Sequence, residues 1–112
     1  MIKTTKESIG DVLVIKINEK EANLSKSELF KEYVISELKA GSVNIIISFE
    51  GVEYLDSSFL GALVGILKTI LPLNGKLFLT DMHYDIINLF ELTRLDKIFV
   101  LIPTVKLALE EF

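Results

Sequence analysis

Val43-Asn44-Ile45-Ile46-Ile47-Ser48-Phe49 is a nearly continuous apolar run rich in β-branched residues. Such a strand fits the centre of a sheet, covered on both faces or on one face plus an edge. Beyond it, Leu60, Leu63, Val64, Leu67, Ile70 and Leu71 recur at i, i+3, i+4, i+7, i+10 and i+11, the spacing of a helix with one core stripe. Pro72 and Asn74-Gly75 end that helix. A buried strand feeding a long amphipathic helix points to α/β architecture.

The rest of the chain repeats this alternation. Val12–Ile17 is a short β-branched strand, and Gly10-Asp11 predicts a turn through which residues 2–8 pair with it as a hairpin. Residues 25–38 predict a helix with Leu29, Val34 and Leu38 as its apolar positions and Phe30 and Ile35 beside them. Ser25 and Glu28 stand in capping-box register, and Gly41 closes the helix. Lys76–Thr80 reads as a strand. Residues 84–92 follow as a short helix with Ile87, Leu89 and Phe90 as core. Residues 98–101 form the last strand, and Pro103 opens a final helix dressed by Val105, Leu107 and Leu109. The expected fold is one α/β domain over residues 1–112 with a mixed sheet.

Composition narrows the function. Lys and Arg number 12 against 16 Asp and Glu, a net charge of −4, and no basic cluster interrupts that balance. This disfavours nucleic acid and anionic membrane as partners. The absence of cysteine excludes disulfide and thiolate chemistry. No signal-like apolar segment occurs among the first residues, and no run approaches the roughly 20 apolar residues of a membrane span. The expectation is a cytoplasmic protein. No sequence signal sets an oligomeric state.

Between the strand and the long helix lies Gly51-Val52-Glu53-Tyr54-Leu55-Asp56-Ser57-Ser58-Phe59-Leu60-Gly61. Side-chain oxygens there can cap the helix. The free N–H groups and the positive dipole end also suit an anion. A serine at this junction is therefore either a plain cap or a place where phosphate can be attached and tolerated. On the helix, Phe59, Ala62 and Ile66 flank the core stripe and widen its apolar arc to roughly 200°, where a one-sided helix needs little more than 100°. Either neighbouring helices bury this flank, or it is an exposed docking surface beside Ser57. Gly61 and Gly65 lie four apart on the remaining face, where they would admit a close backbone or merely keep the surface thin.

Other chemistry is sparse. His83 is the one histidine, and it reads as a surface or helix-capping residue. The chain has no Gly-rich phosphate loop and no transition-metal ligand set. Glu19, Glu21, Glu28 and Glu32 read as solvated charge. A binding protein without cofactor, rather than an enzyme, is expected.

The six residues Asp56-Ser57-Ser58-Phe59-Leu60-Gly61, set between a buried strand and a long helix, resemble the signature of the STAS domain, in particular of bacterial anti-sigma-factor antagonists. Leu89-Phe90-Glu91-Leu92-Thr93-Arg94-Leu95-Asp96-Lys97-Ile98-Phe99 is similar to that family's stretch between its third helix and last strand. The resemblance spans nearly the whole chain. It implies a STAS-like mixed sheet with helices mainly on one face, and a partner switch. The unmodified antagonist binds an anti-sigma factor that is also a serine kinase. Phosphorylation of the serine after the aspartate, here Ser57, releases it, and a phosphatase resets it. Asp56, Ser58, Phe59, Ala62 and Ile66 would accompany Ser57 at the partner surface. A STAS-type interaction subunit of a transporter or signalling complex, without phosphate control, is the alternative the same resemblance allows.

The chain departs from the family pattern in three places. Phe59 replaces the family's usual glycine, placing a ring next to the acceptor. In the loop Asn18-Glu19-Lys20-Glu21-Ala22, Glu19 stands in place of a glycine and Ala22 in place of an aspartate, with Glu21 and Asn23 as the candidate replacement polar groups for partner contact.

Overall fold

The computed structural model describes residues 2–112. Strands β1 (Thr4–Ile9) and β2 (Val12–Ile17) form the expected antiparallel hairpin, turned at Gly10 with φ 62°. That left-handed conformation suits glycine, which has no Cβ to clash. β2 then pairs in parallel with β4 (Asn44–Ser48), β4 with β6 (Lys76–Thr80), and β6 with β7 (Val100–Ile102). The sheet order is β1-β2-β4-β6-β7. A second, two-stranded parallel pair, β3 (Glu21–Ala22) with β5 (Tyr54–Leu55), stands outside this sheet. Two residues per strand are too few to leave a periodic trace in the sequence.

The period of two sorts the core into layers. Leu13, Ile15, Ile17, Ile45, Ile47, Leu77 and Leu79 face α1 (Leu24–Lys39), α2 (Ser57–Ile70) and α3 (Tyr84–Leu92). Val12, Ile46 and Phe78 point to the other side, where Ala108 of the short α4 (Val105–Leu109) covers them. Ile45, Ile46 and Ile47 are fully buried, so β4 is covered on both faces and its unbroken apolar run has its cause.

Several element details differ from expectation. α1 begins at Leu24, and its cap is Asn23, whose side chain accepts a hydrogen bond from the Ser25 amide. Ser25 is thus inside the helix, its hydroxyl donating to Asn23 Oδ1 at 2.7 Å, and the Ser25–Glu28 capping box does not form. Phe30, Val34 and Leu38 make the buried stripe, at i, i+4 and i+8, which leaves Leu29 turned out and exposed. Leu71 is exposed because Pro72 tightens the chain into a 3-10 turn over Leu71–Leu73, and the helical phase ends before it. In α3 the buried pair is Ile86 and Phe90, while Ile87 and Leu89 are half-buried. β7 starts two residues later than expected, because Leu95–Lys97 form another 3-10 turn that leaves Ile98 exposed. In α4, Ala108 is the buried residue and Leu107 faces out.

Gly75 marks one unavoidable close approach. A Cβ on it would lie 2.1 Å from the Val43 carbonyl oxygen, and the next amide, Lys76, donates to that same carbonyl. Among the described residues no helix is long and apolar enough to cross a membrane.

Candidate functional site

Each of α1, α2 and α3 follows a parallel strand or its extension, so their N-termini gather at the carboxyl end of the sheet. The β3–β5 pair brings two of them together. Asp56 follows β5, and its amide donates to the Ala22 carbonyl of β3 at 3.1 Å. Its extended backbone, φ −102° and ψ 175°, makes it the N-cap of α2. Oδ1 accepts from the Phe59 amide at 3.0 Å. Oδ2 accepts from the Leu24 amide at 2.8 Å, the first residue of α1. One carboxylate therefore satisfies orphan donors of two helices and places its negative charge at two positive dipole ends.

This arrangement removes the capping role from the serines. Ser57, the first residue of α2, is exposed, and Ser58 is half-buried. Among the described residues neither hydroxyl makes a hydrogen bond, and the Ser57 and Ser58 amides have no backbone or side-chain acceptor. The first turn of α2 thus presents an accessible hydroxyl beside two free N–H donors, a setting that tolerates a dianion.

The flank of α2 is resolved in favour of burial. Phe59 and Ile66 are fully buried and Ala62 nearly so. Phe59 stacks on Phe30 of α1, with ring centroids 5.2 Å apart and an interplanar angle of 26°. The docking surface expected from Phe59, Ala62 and Ile66 does not exist, because α1 covers that flank. The Phe59 ring, two residues after Ser57, points into the core and leaves Ser57 open. Gly65 lies under the aliphatic stem of Lys31, whose Cε would be 2.7 Å from an added Cβ, whereas Gly61 is exposed with nothing within 4 Å.

The altered loop has an internal use. Glu19 accepts from the Lys3 amide at 2.8 Å and from Lys26 Nζ at 3.1 Å. The Lys3 amide first, and then the Lys26 ammonium, hold its carboxyl below the usual range. Lys26 also donates to the Glu21 carbonyl. Ala22 is fully buried, Asn23 spends its carboxamide on capping α1, and the Glu21 carboxylate alone of this group extends into solvent. His83 precedes α3 at its N-cap position without a side-chain cap bond, its Nε2 lying 3.1 Å from the Glu50 carbonyl. Among the described residues no group of three His, Cys, Asp or Glu is placed to hold a metal ion.

Two exposed residues that sequence reading did not select lie on the segments that lead into α1 and α2. Leu24 is 70% exposed and Tyr54 55% exposed. Leu24 is bound through its amide to Asp56, and Tyr54 pairs in register with Glu21. A leucine at a helix start and a tyrosine in a two-residue strand carry no periodic signal of their own.

Comparison with known proteins agrees with this fold. The STAS domain family matches the chain over residues 3–108. A Thermotoga maritima protein described provisionally as an anti-sigma factor antagonist is 36% identical over 104 residues, 92% of each chain. A crystal structure of such an antagonist from Thermotoga maritima superposes with a TM-score of 0.91 at 33% identity, covering 96% of this chain and 92% of that one. The phosphorylated form of the Bacillus cell fate determinant SpoIIAA, 19% identical and matched over 97% of this chain and 98% of its own, shares the fold with a TM-score of 0.74. The chain belongs to the STAS domain family of bacterial anti-sigma-factor antagonists.

Proposed function

We propose that the chain is a phosphorylation-controlled partner switch with Ser57 as the acceptor. The unmodified protein binds an anti-sigma factor that is also a serine kinase and so frees a sigma factor. Transfer of phosphate to Ser57 ends the complex, and a phosphatase restores it, all in the cytoplasm. The observation that carries this reading is the division of labour at the α2 start. Asp56 does the capping, while Ser57 is exposed, unbonded and next to two free amides. A hydroxyl with no structural duty can be modified without loss of the fold.

Phosphate adds about −1.5 to −2 charges. In the free protein these are met by water and by the N-terminus of α2. In a contact they must be desolvated, which disfavours the complex. Incubation of the chain with its cognate kinase and ATP should place a single phosphate on Ser57, read by fragment mass spectrometry, and Ser57→Ala should abolish it. Phosphate on Ser58 instead, or none, would overturn the assignment.

A further inference from the structure

The turn between α2 and β6 makes two separate demands on its sequence. Asn74 closes the 3-10 turn in the left-handed conformation, φ 58° and ψ 27°, with its amide donating to the Leu71 carbonyl at 3.1 Å. Apart from glycine, asparagine is among the few residues that accept this region readily. The next residue has to be glycine, because a Cβ there would lie 2.1 Å from the Val43 carbonyl oxygen and 3.0 Å from Ile70 Cγ2. The fold thus selects the pair Asn74-Gly75, and that pair is chemically labile. Asn18, Asn23, Asn44 and Asn88 are followed by Glu19, Leu24, Ile45 and Leu89, whose side chains crowd the amide that follows each asparagine. Asn74 alone is followed by a residue with no side chain.

The folded geometry withholds the reaction. The Asn74 side chain is exposed, but the Gly75 amide is turned to the Ile70 carbonyl at 3.3 Å. At ψ 27° the Gly75 nitrogen nearly eclipses the Asn74 nitrogen and lies across the Cα–C bond from Cβ. It meets Cγ only after ψ rotates. That rotation breaks the Gly75–Ile70 bond and pulls the Lys76 amide from the Val43 carbonyl, 3.0 Å away. Lys76 begins β6, which lies between β4 and β7, so the rotation requires the α2–β6 connection to open.

We propose that Asn74-Gly75 is a self-modification site gated by the fold: a chain whose α2–β6 connection opens converts Asn74 to aspartate or isoaspartate. The Gly75 nitrogen, its proton passed to water or hydroxide, attacks Asn74 Cγ. A C–N bond closes a five-membered imide, the Cγ–Nδ2 bond breaks, and Nδ2 takes up a proton and leaves as ammonia. Water then opens the imide at either carbonyl. Opening at the main-chain carbonyl carbon gives isoaspartate, which puts the side-chain methylene into the backbone. Gly75 has no room beside Val43 to absorb that extra bond, so the isoaspartyl chain does not recover the native turn. Aspartate tolerates the left-handed conformation and does recover it. Opening is thereby recorded as a covalent change, independently of any modification at Ser57.

The test incubates the purified chain at one mildly alkaline pH and one temperature, in native buffer and in guanidinium chloride above its unfolding midpoint. Both solutions are made in water enriched in heavy oxygen, and fragment mass spectrometry reads the label at each asparagine. Asn74 should take up label at least about tenfold faster in denaturant than in native buffer, and faster than Asn18, Asn23, Asn44 or Asn88. Equal rates at Asn74 in the two solutions would overturn the gate, and another asparagine leading in denaturant would overturn the site. After dilution from denaturant, the isoaspartyl form should melt at least about 4 °C below the unmodified chain, or fail to refold, while the aspartyl form melts with it. An isoaspartyl form that regains the unmodified midpoint would overturn the one-way outcome. Asn74→Gly keeps the left-handed turn and removes the carboxamide. Its refolding yield should hold after the same denatured incubation while that of the wild type falls, and an equal fall in both would place the damage elsewhere and sink the proposal.

Discussion

The carboxylate of Asp56 accepts the backbone amide of Leu24 at 2.8 Å, joining the start of one helix to the cap of the next. Asp56→Ala should therefore cost about 2–3 kcal/mol, more than a single cap, because donors on both α1 and α2 lose their partner. Ser57→Ala should change stability by no more than about 0.5 kcal/mol, since its hydroxyl bonds to nothing. Urea unfolding of both variants checks the contrast. A large loss for Ser57→Ala would return the capping role to the serine.

Phe59→Ala should cost about 3 kcal/mol, from the cavity left against Phe30. Phe59→Leu should cost about 1 kcal/mol and leave phosphorylation of Ser57 at its wild-type rate, because the ring points away from the acceptor. Unfolding and kinase assays on the same preparations separate packing from access.

Glycine substitutions should differ in sign. Gly75→Ala forces a methyl into the Val43 carbonyl and should cost about 3 kcal/mol or more. Gly61→Ala meets open space in an exposed helical turn and should stabilise by about 0.5–1 kcal/mol. Thermal melts would show one midpoint falling and the other rising.

Glu19 gives a pH signature. Its folded pKa lies below the unfolded value, set first by the Lys3 amide and then by Lys26, so its contribution is present above the ordinary glutamate range and fades as pH falls through the folded value. Urea midpoints of wild type and Glu19→Gln should differ most at neutral pH and converge under acid. A gap that widens on acidification contradicts the assignment.

Much of this architecture is legible in the amino-acid sequence. The apolar run of β4 and the stripe of α2 are long enough for their periods to identify strand and helix. The hairpin is marked by Gly10. What escaped reading depends on contacts between distant segments. Asn23 and Ser25 are equally able to cap α1, and the choice between them is made where Asp56, 32 residues from Leu24, binds its amide. The wide apolar arc of α2 is compatible with burial or docking, and only the position of Phe30 decides. Leu24 and Tyr54, both exposed, lie beside the short β3–β5 pair, which leaves no periodic trace in the sequence. The proposal of Ser57 as acceptor rests on a local pattern, a hydroxyl pair after an acid at a strand-to-helix junction.

The most direct measurement is the affinity of the purified partner kinase for the chain phosphorylated on Ser57, set against the unmodified chain, with thermal unfolding of both forms recorded in parallel. Binding should weaken by about a hundredfold or more, some 3 kcal/mol, while the melting midpoint stays within about 2 °C. Equal affinity for the two forms would contradict the switch.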